Sequence, residues 1–248
     1  MEKKCCAVPI LALLVVLLLV GGSASAGTPS WIIVGDSWGI LLGPFQEAKL
    51  AELGLDIPVK DLAVGGSTAH EWAGDAGGIL TQAKETLAAL PPQDLAFVYV
   101  SLGGNDVLED YPSLGAAVFS RIAADLQTVV GELLSAKPKT LILLGSYDLL
   151  NFQKSSFCES FALSVVGTSQ PEGMNGLIRL GGTLVDLAAA LDPRVLSLNV
   201  IGALQGTPGS PDLSSWSPAE FITADCIHLT FDGYTIFNDA MFATLLGQ

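Results

Sequence analysis

The chain has 248 residues, half of them hydrophobic, with 11 Lys and Arg against 25 Asp and Glu and a formal net charge of −14. An acidic surface of this kind repels nucleic acid and anionic headgroups, and no basic cluster interrupts it. Nucleic acid is therefore not expected as a partner, and neutral substrates fit better.

In chain order, the first predicted element is a targeting segment. Lys3 and Lys4 precede an apolar run over Ala7–Val20, and Ala24-Ser25-Ala26 has the small-x-small form of a cleavage site. This three-part pattern is that of a secretory signal peptide over residues 1–26, which places the mature protein outside the cytoplasm, secreted or periplasmic. A retained anchor helix is the alternative, but the apolar run is shorter than the roughly 20 residues that span a bilayer. Roughly 220 residues remain, enough for one α/β domain over 27–248, with no second apolar stretch long enough to span a membrane after cleavage.

The remaining sequence alternates short β-prone runs with longer helical patterns. Strands are predicted at 31–34, 58–63, 95–101, 140–144 and 195–199, and helices at 44–53, 78–90, 114–136, 176–191 and 231–246. Ala96-Phe-Val-Tyr-Val-Ser101 and Leu141-Ile-Leu-Leu144 are almost continuously apolar, as in strands covered on both faces. The alternation predicts a parallel five-stranded sheet between two helical layers. Two stretches, 146–173 and 202–224, read as irregular, and such long loops usually carry function. Within the second, residues 206–218 are rich in Gly, Pro and Ser and read either as crossing a site rim or as an inert surface connection.

The chemistry-bearing residues fall at predicted strand ends. The first strand runs into Gly35-Asp-Ser-Trp-Gly39, where glycines permit a tight turn that presents the Ser37 hydroxyl. Serine chemistry needs a base, an orienting acid and donors for a developing oxyanion. Only two histidines are present. His70, in Ser67-Thr-Ala-His-Glu-Trp72, reads as a surface or cap residue of a short helix. His228 follows Asp225 by three residues just before the last predicted helix, a spacing at which the carboxylate reaches Nδ1 while Nε2 faces a serine. Ala63-Val-Gly-Gly-Ser67 and Gly103-Gly-Asn-Asp106 end the second and third strands and offer a backbone N–H and an amide. In a doubly wound sheet these loops converge.

These four blocks, in this order and across almost the whole mature chain, resemble the SGNH hydrolases, also called GDSL-type esterases and lipases. The resemblance rests on Gly35-Asp36-Ser37, Gly66, Gly103-Gly-Asn105-Asp106 and Asp225-Cys-Ile-His228. It implies a flavodoxin-like three-layer α/β/α fold and ester hydrolysis through an acyl-enzyme. It also implies Ser37 as nucleophile, His228 as general base, Asp225 as its orienting acid, and the Ser37 N–H, Gly66 N–H and Asn105 side chain as oxyanion donors. No metal or organic cofactor is implied. The substrate would be a small-molecule, lipid or carbohydrate ester. Trp38 stands where the family name has Leu, and is expected to narrow the mouth of the site or wall it.

Gly35-Asp-Ser-Trp-Gly39 also fits the Gly-x-Ser-x-Gly elbow of α/β-hydrolases, but too little chain precedes it for their upstream strands. Chymotrypsin-like proteases place their serine after the histidine and aspartate, the reverse of the order here. An acyltransferase that passes an acetyl group to a sugar hydroxyl is the first rival, and a non-catalytic binding protein on the same scaffold the second. Two cysteines survive signal removal, Cys158 and Cys226. In an oxidising compartment a disulfide between them is expected, with two buried thiols the alternative.

Overall fold

Five strands form one sheet: β1 (Ser30–Gly35), β2 (Val59–Asp61), β3 (Ala96–Ser101), β4 (Thr140–Gly145) and β5 (Val195–Leu198). The computed structural model describes residues 27–247, so the predicted signal peptide over 1–26 lies outside the described residues. The strand order is β2-β1-β3-β4-β5 and every neighbouring pair is parallel. This is the flavodoxin-like order, which reverses direction between β1 and β3 and opens a crevice at their carboxyl ends. Gly35 pairs with Ser101 at that edge, so the loops carrying Ser37 and Asn105 leave the sheet at the same level. A Cβ on Gly35 would stand 2.6 Å from the Ser101 carbonyl oxygen, so only glycine fits there.

Side chains alternate across each strand, and the sheet therefore has two cores. Trp31 and Ile33 of β1 join Phe97, Tyr99 and Leu143 on one face, under helices α1 (Ser37–Glu52), α6 (Ser156–Val166) and α8 (Phe231–Leu246). Ile32 and Val34 join Val98, Val100 and Ile142 on the other, under the helices α2 (Ala69–Ala73), α3 (Ile79–Ala89), α5 (Ala117–Ala136) and α7 (Pro171–Ala189). One further helix, α4 (Gly104–Leu114), follows β3 directly. The result is the three-layer α/β/α arrangement expected.

Several boundaries differ from the sequence reading. The first helix begins at Ser37 rather than at residue 44, and Pro44 sits inside it. Its missing N–H forgoes the bond to the Ile40 carbonyl, a loss that water can offset because Ile40 is exposed. The helix predicted over 114–136 starts at Ala117, because Gly115 adopts φ 55° and separates it from α4, which the sequence reading did not include. The stretch 146–173 is not wholly irregular, since Ser155 caps α6 by accepting from the Cys158 N–H. Helix α7 starts at Pro171, five residues earlier than predicted, with its proline in the first turn where no donor is missed.

Candidate active site

Ser37 is the first residue of α1. Asp36 caps this helix: its carboxylate accepts from the Trp38 N–H at 2.9 Å and also from the Tyr147 hydroxyl. The Ser37 N–H, at the first helical position, has no partner within the helix and faces outward with the positive end of the dipole. Asp36 is 1 % exposed. Burial pushes its carboxyl up to about 6, against the opposing bonds from Tyr147 and Trp38 and the nearby His228.

The loop before α8 brings Asp225 and His228 to Ser37. Ile222 and Leu229 form an isolated antiparallel bridge, which closes the intervening segment into a narrow loop. Inside it, Asp225 Oδ1 accepts from the Thr223 hydroxyl at 2.5 Å and from the Ile227 and His228 N–H groups at 3.1 and 3.0 Å. That leaves Oδ2 aimed at His228 Nδ1, 2.8 Å away. His228 Nε2 lies 2.7 Å from Ser37 Oγ, across 191 residues of sequence. With the imidazole proton on Nδ1, the histidine donates to Asp225 and accepts from the serine hydroxyl. Partial burial raises the Asp225 carboxyl, but bonds from Thr223, the imidazole and the two N–H groups outweigh it and hold it well below the usual carboxylate range. Asp225 is thus fixed as an anion.

The third and second strand ends complete the cluster. Gly66 adopts φ 79°, a backbone that side chains other than glycine rarely take, whereas Gly65 has no such requirement. Asn105 Nδ2 donates one hydrogen to the Ser67 carbonyl at 2.9 Å, which sets the plane of the amide and leaves its second N–H available. Ser67 Oγ in turn donates to the Gly35 carbonyl at 3.2 Å and accepts from Trp72 Nε1 at 2.9 Å. Asp106, wholly buried, accepts from the Ala69 and His70 N–H groups at 2.7 and 3.2 Å. Asn105 and Asp106 therefore hold the backbone after the second strand, and Ser67 in turn ties that segment to Gly35 beside Ser37.

Cys158 and Cys226 are joined, with sulfurs 2.07 Å apart, tying α6 to the loop that carries Asp225 and His228. Cys226 is one of two non-glycine residues with positive φ among the described residues, at 76°. His70 stays outside the cluster, 64 % exposed at its side chain and paired with Asp125 at 3.1 Å. The surface role expected for it holds.

Trp38 lines the cavity onto which Ser37 and His228 open, as the apolar wall expected of it. It is 4 % exposed, and its ring packs edge-on against Tyr147, Tyr234 and Phe237. Its Nε1 donates to the Ile227 carbonyl at 2.9 Å. No residue of 206–218 is among those lining the cavity beside Ser37. This segment is held from beneath by Asn175, which donates to the Leu213 and Ser215 carbonyls, and by Asn151, which donates to that of Ser217.

The sequence reading missed Asp148. It is wholly buried at the end of β4 and accepts from the Leu149, Gly202 and Leu204 N–H groups, fixing the turn after β5. Burial pushes its carboxyl up to about 6, against the three N–H bonds. A lone Asp after an apolar strand carried no periodicity or spacing that would single it out. Among the described residues, no group of three or more His, Cys, Asp and Glu is arranged to hold a metal ion. No described helix is long and apolar enough to cross a membrane.

No family model and no curated protein matches the chain. Its fold does match solved structures. A protein of Slackia heliotrinireducens named among the SGNH hydrolases is 19% identical with TM-score 0.55, covering 88% of this chain and 99% of its own. A GDSL-like lipase of Bacteroides thetaiotaomicron is 16% identical with TM-score 0.54, over 93% of this chain and 95% of its own. A carbohydrate esterase family 3 protein of Talaromyces cellulolyticus is 12% identical with TM-score 0.58, over 89% and 97%. At these identities the likeness is one of fold: the chain has the three-layer α/β/α fold of structures that bear SGNH and GDSL names.

Proposed function

We propose that the chain is a secreted serine esterase of the SGNH type, hydrolysing carboxylic esters through an acyl-enzyme. The observation that carries this reading is the continuous relay from Ser37 Oγ through His228 to Asp225, with contacts of 2.7 and 2.8 Å. A carboxylate held as an anion against Nδ1 favours the imidazolium that forms when Nε2 takes the serine proton. Ser37 Oγ then attacks the ester carbonyl. The Ser37 and Gly66 N–H groups and the free N–H of Asn105 receive the oxyanion, a kind of stabilisation that typically contributes about 3–4 kcal/mol per donor. His228 returns the proton to the leaving alcohol, and a water activated by the same base releases the acid.

Secretion rests on the pattern of the first 26 residues and agrees with the Cys158–Cys226 disulfide, since such bonds persist in oxidising compartments. Hydrolysis of p-nitrophenyl hexanoate by purified protein and by Ser37→Ala tests the reading. Activity in the parent and its loss by a factor of about 1000 or more in the variant is expected. Undiminished turnover by Ser37→Ala would overturn it.

A further inference from the structure

The relay opens onto a cavity of ≈ 120 Å³ that the reaction itself does not require. Ser37, Asn105 and His228 stand in its wall, and it extends between α4, α5, α6 and α7. Beyond Asn105 the lining from these four helices is apolar throughout, with Phe119, Ile122 and Leu126 of α5 facing Met174, Ile178 and Val185 of α7. Most of these side chains belong to the buried core. The polar groups on the strand side of the wall are already engaged. Tyr147 donates to Asp36, the Asp148 carboxylate accepts from three N–H groups, and Ser146 Oγ bonds at the end of β5. A hydroxylated guest would find no free partner in this slot, and unpaired hydroxyls are costly to bury.

On the ester-hydrolase reading, the two halves of a substrate are distinguishable by when they leave. The alcohol departs while the acyl group is still bonded to Ser37, so it cannot leave past that bond from a slot behind it. The acyl group stays until the second step and can occupy such a slot. We infer that this cavity is an acyl-chain subsite, which makes the protein selective for medium-chain acyl esters over acetyl esters. An apolar cavity of about 150 Å³ takes a six-carbon ring, so the present, smaller one suits roughly five carbons beyond the carbonyl, a hexanoyl chain. Gly181 borders it on the α7 side. A Cβ added there meets no atom within 4 Å, leaving open space that a larger side chain would fill.

The experiment compares kcat/KM of the purified protein on p-nitrophenyl acetate, butyrate, hexanoate, octanoate and palmitate, beside Gly181→Leu and Leu126→Phe. Each added methylene is expected to raise kcat/KM by up to about fourfold until the slot is full, with no further gain at palmitate. Either substitution is expected to lower the hexanoate-to-acetate ratio at least tenfold. Leucine at 181 also favours the helix, so folding is kept, and Leu126→Phe gives the same readout from the opposite wall. Binding of free hexanoate and acetate to Ser37→Ala, followed as a rise in melting temperature, reads the slot without turnover. A rise with hexanoate alone supports the subsite even if no ester is hydrolysed, in which case only the esterase reading falls. Acetate turned over as well as hexanoate, or a ratio unmoved by both substitutions, would overturn the subsite while leaving the relay intact.

Discussion

Trp38 Nε1 donates to the Ile227 carbonyl across 2.9 Å, joining the residue after Ser37 to the residue before His228. The two are 189 positions apart in sequence, and the bond sets how the start of α1 meets the loop before α8. A misplacement of well under 1 Å between nucleophile and base is enough to slow an acyl transfer. Trp38→Phe keeps the aromatic packing but leaves a partly buried carbonyl unpaired. Steady-state kinetics on a hexanoyl ester should show kcat reduced roughly tenfold with KM changed by less than about threefold.

Asn105 is expected to act on the transition state alone. On the proposed mechanism Asn105→Ala removes one oxyanion donor, and kcat should drop by about 100- to 1000-fold with little change in KM. Asn105→Ala also releases the Ser67 carbonyl, so a circular-dichroism melt close to that of the parent is the control that separates chemistry from folding. A rise in KM with kcat intact would reassign the amide to substrate binding.

The disulfide should matter twice. Cys158 and Cys226 are separated by 68 residues, a closure that stabilises by about 4 kcal/mol on the chain-entropy account. Differential scanning calorimetry of Cys158→Ser/Cys226→Ser should show a melting temperature lower by roughly 8–15 °C. Below that transition, activity should fall as well, because the bond anchors the loop that presents Asp225 and His228.

Asp36 gives a pH signature of stability. Its folded-state value of about 6 lies above the ordinary 3.8, so the native state holds the proton more tightly than the unfolded chain does. Its contribution is therefore fully present below about 3.8 and is lost as pH rises through about 6. Asn at this position still accepts from the Trp38 N–H and can donate to the Tyr147 oxygen. Asp36→Asn should accordingly gain stability relative to the parent between pH 4 and 7, by up to roughly 3 kcal/mol. Urea titrations at pH 4, 5.5 and 7 measure the difference, and a constant offset across that range would contradict it.

Much of this architecture was legible in the sequence because it is local. The apolar runs of β3 and β4, the strand-to-glycine transitions at Gly35 and Gly103, and Asp225 three residues before His228 each declare themselves within ten residues. What could not be read depends on contacts between distant segments. Pro44 reads as a helix start, yet α1 already begins at Ser37, where Asp36 supplies the cap. Helix α6 has Phe157 and Leu163 exposed and Cys158 buried, so its apolar pattern does not mark one face. Trp38 gives no hint in sequence that it reaches Ile227. The apolar cavity is lined by a few residues from each of four helices, most of which read on their own as ordinary core.

The most direct test of the relay is to label the purified protein with a fluorophosphonate and locate the adduct by peptide mass spectrometry. A serine activated by its own histidine reacts, whereas ordinary serine hydroxyls do not. A single adduct on Ser37, lost in His228→Ala, is expected. An unlabelled Ser37, or labelling that persists when His228 is replaced, would contradict the relay.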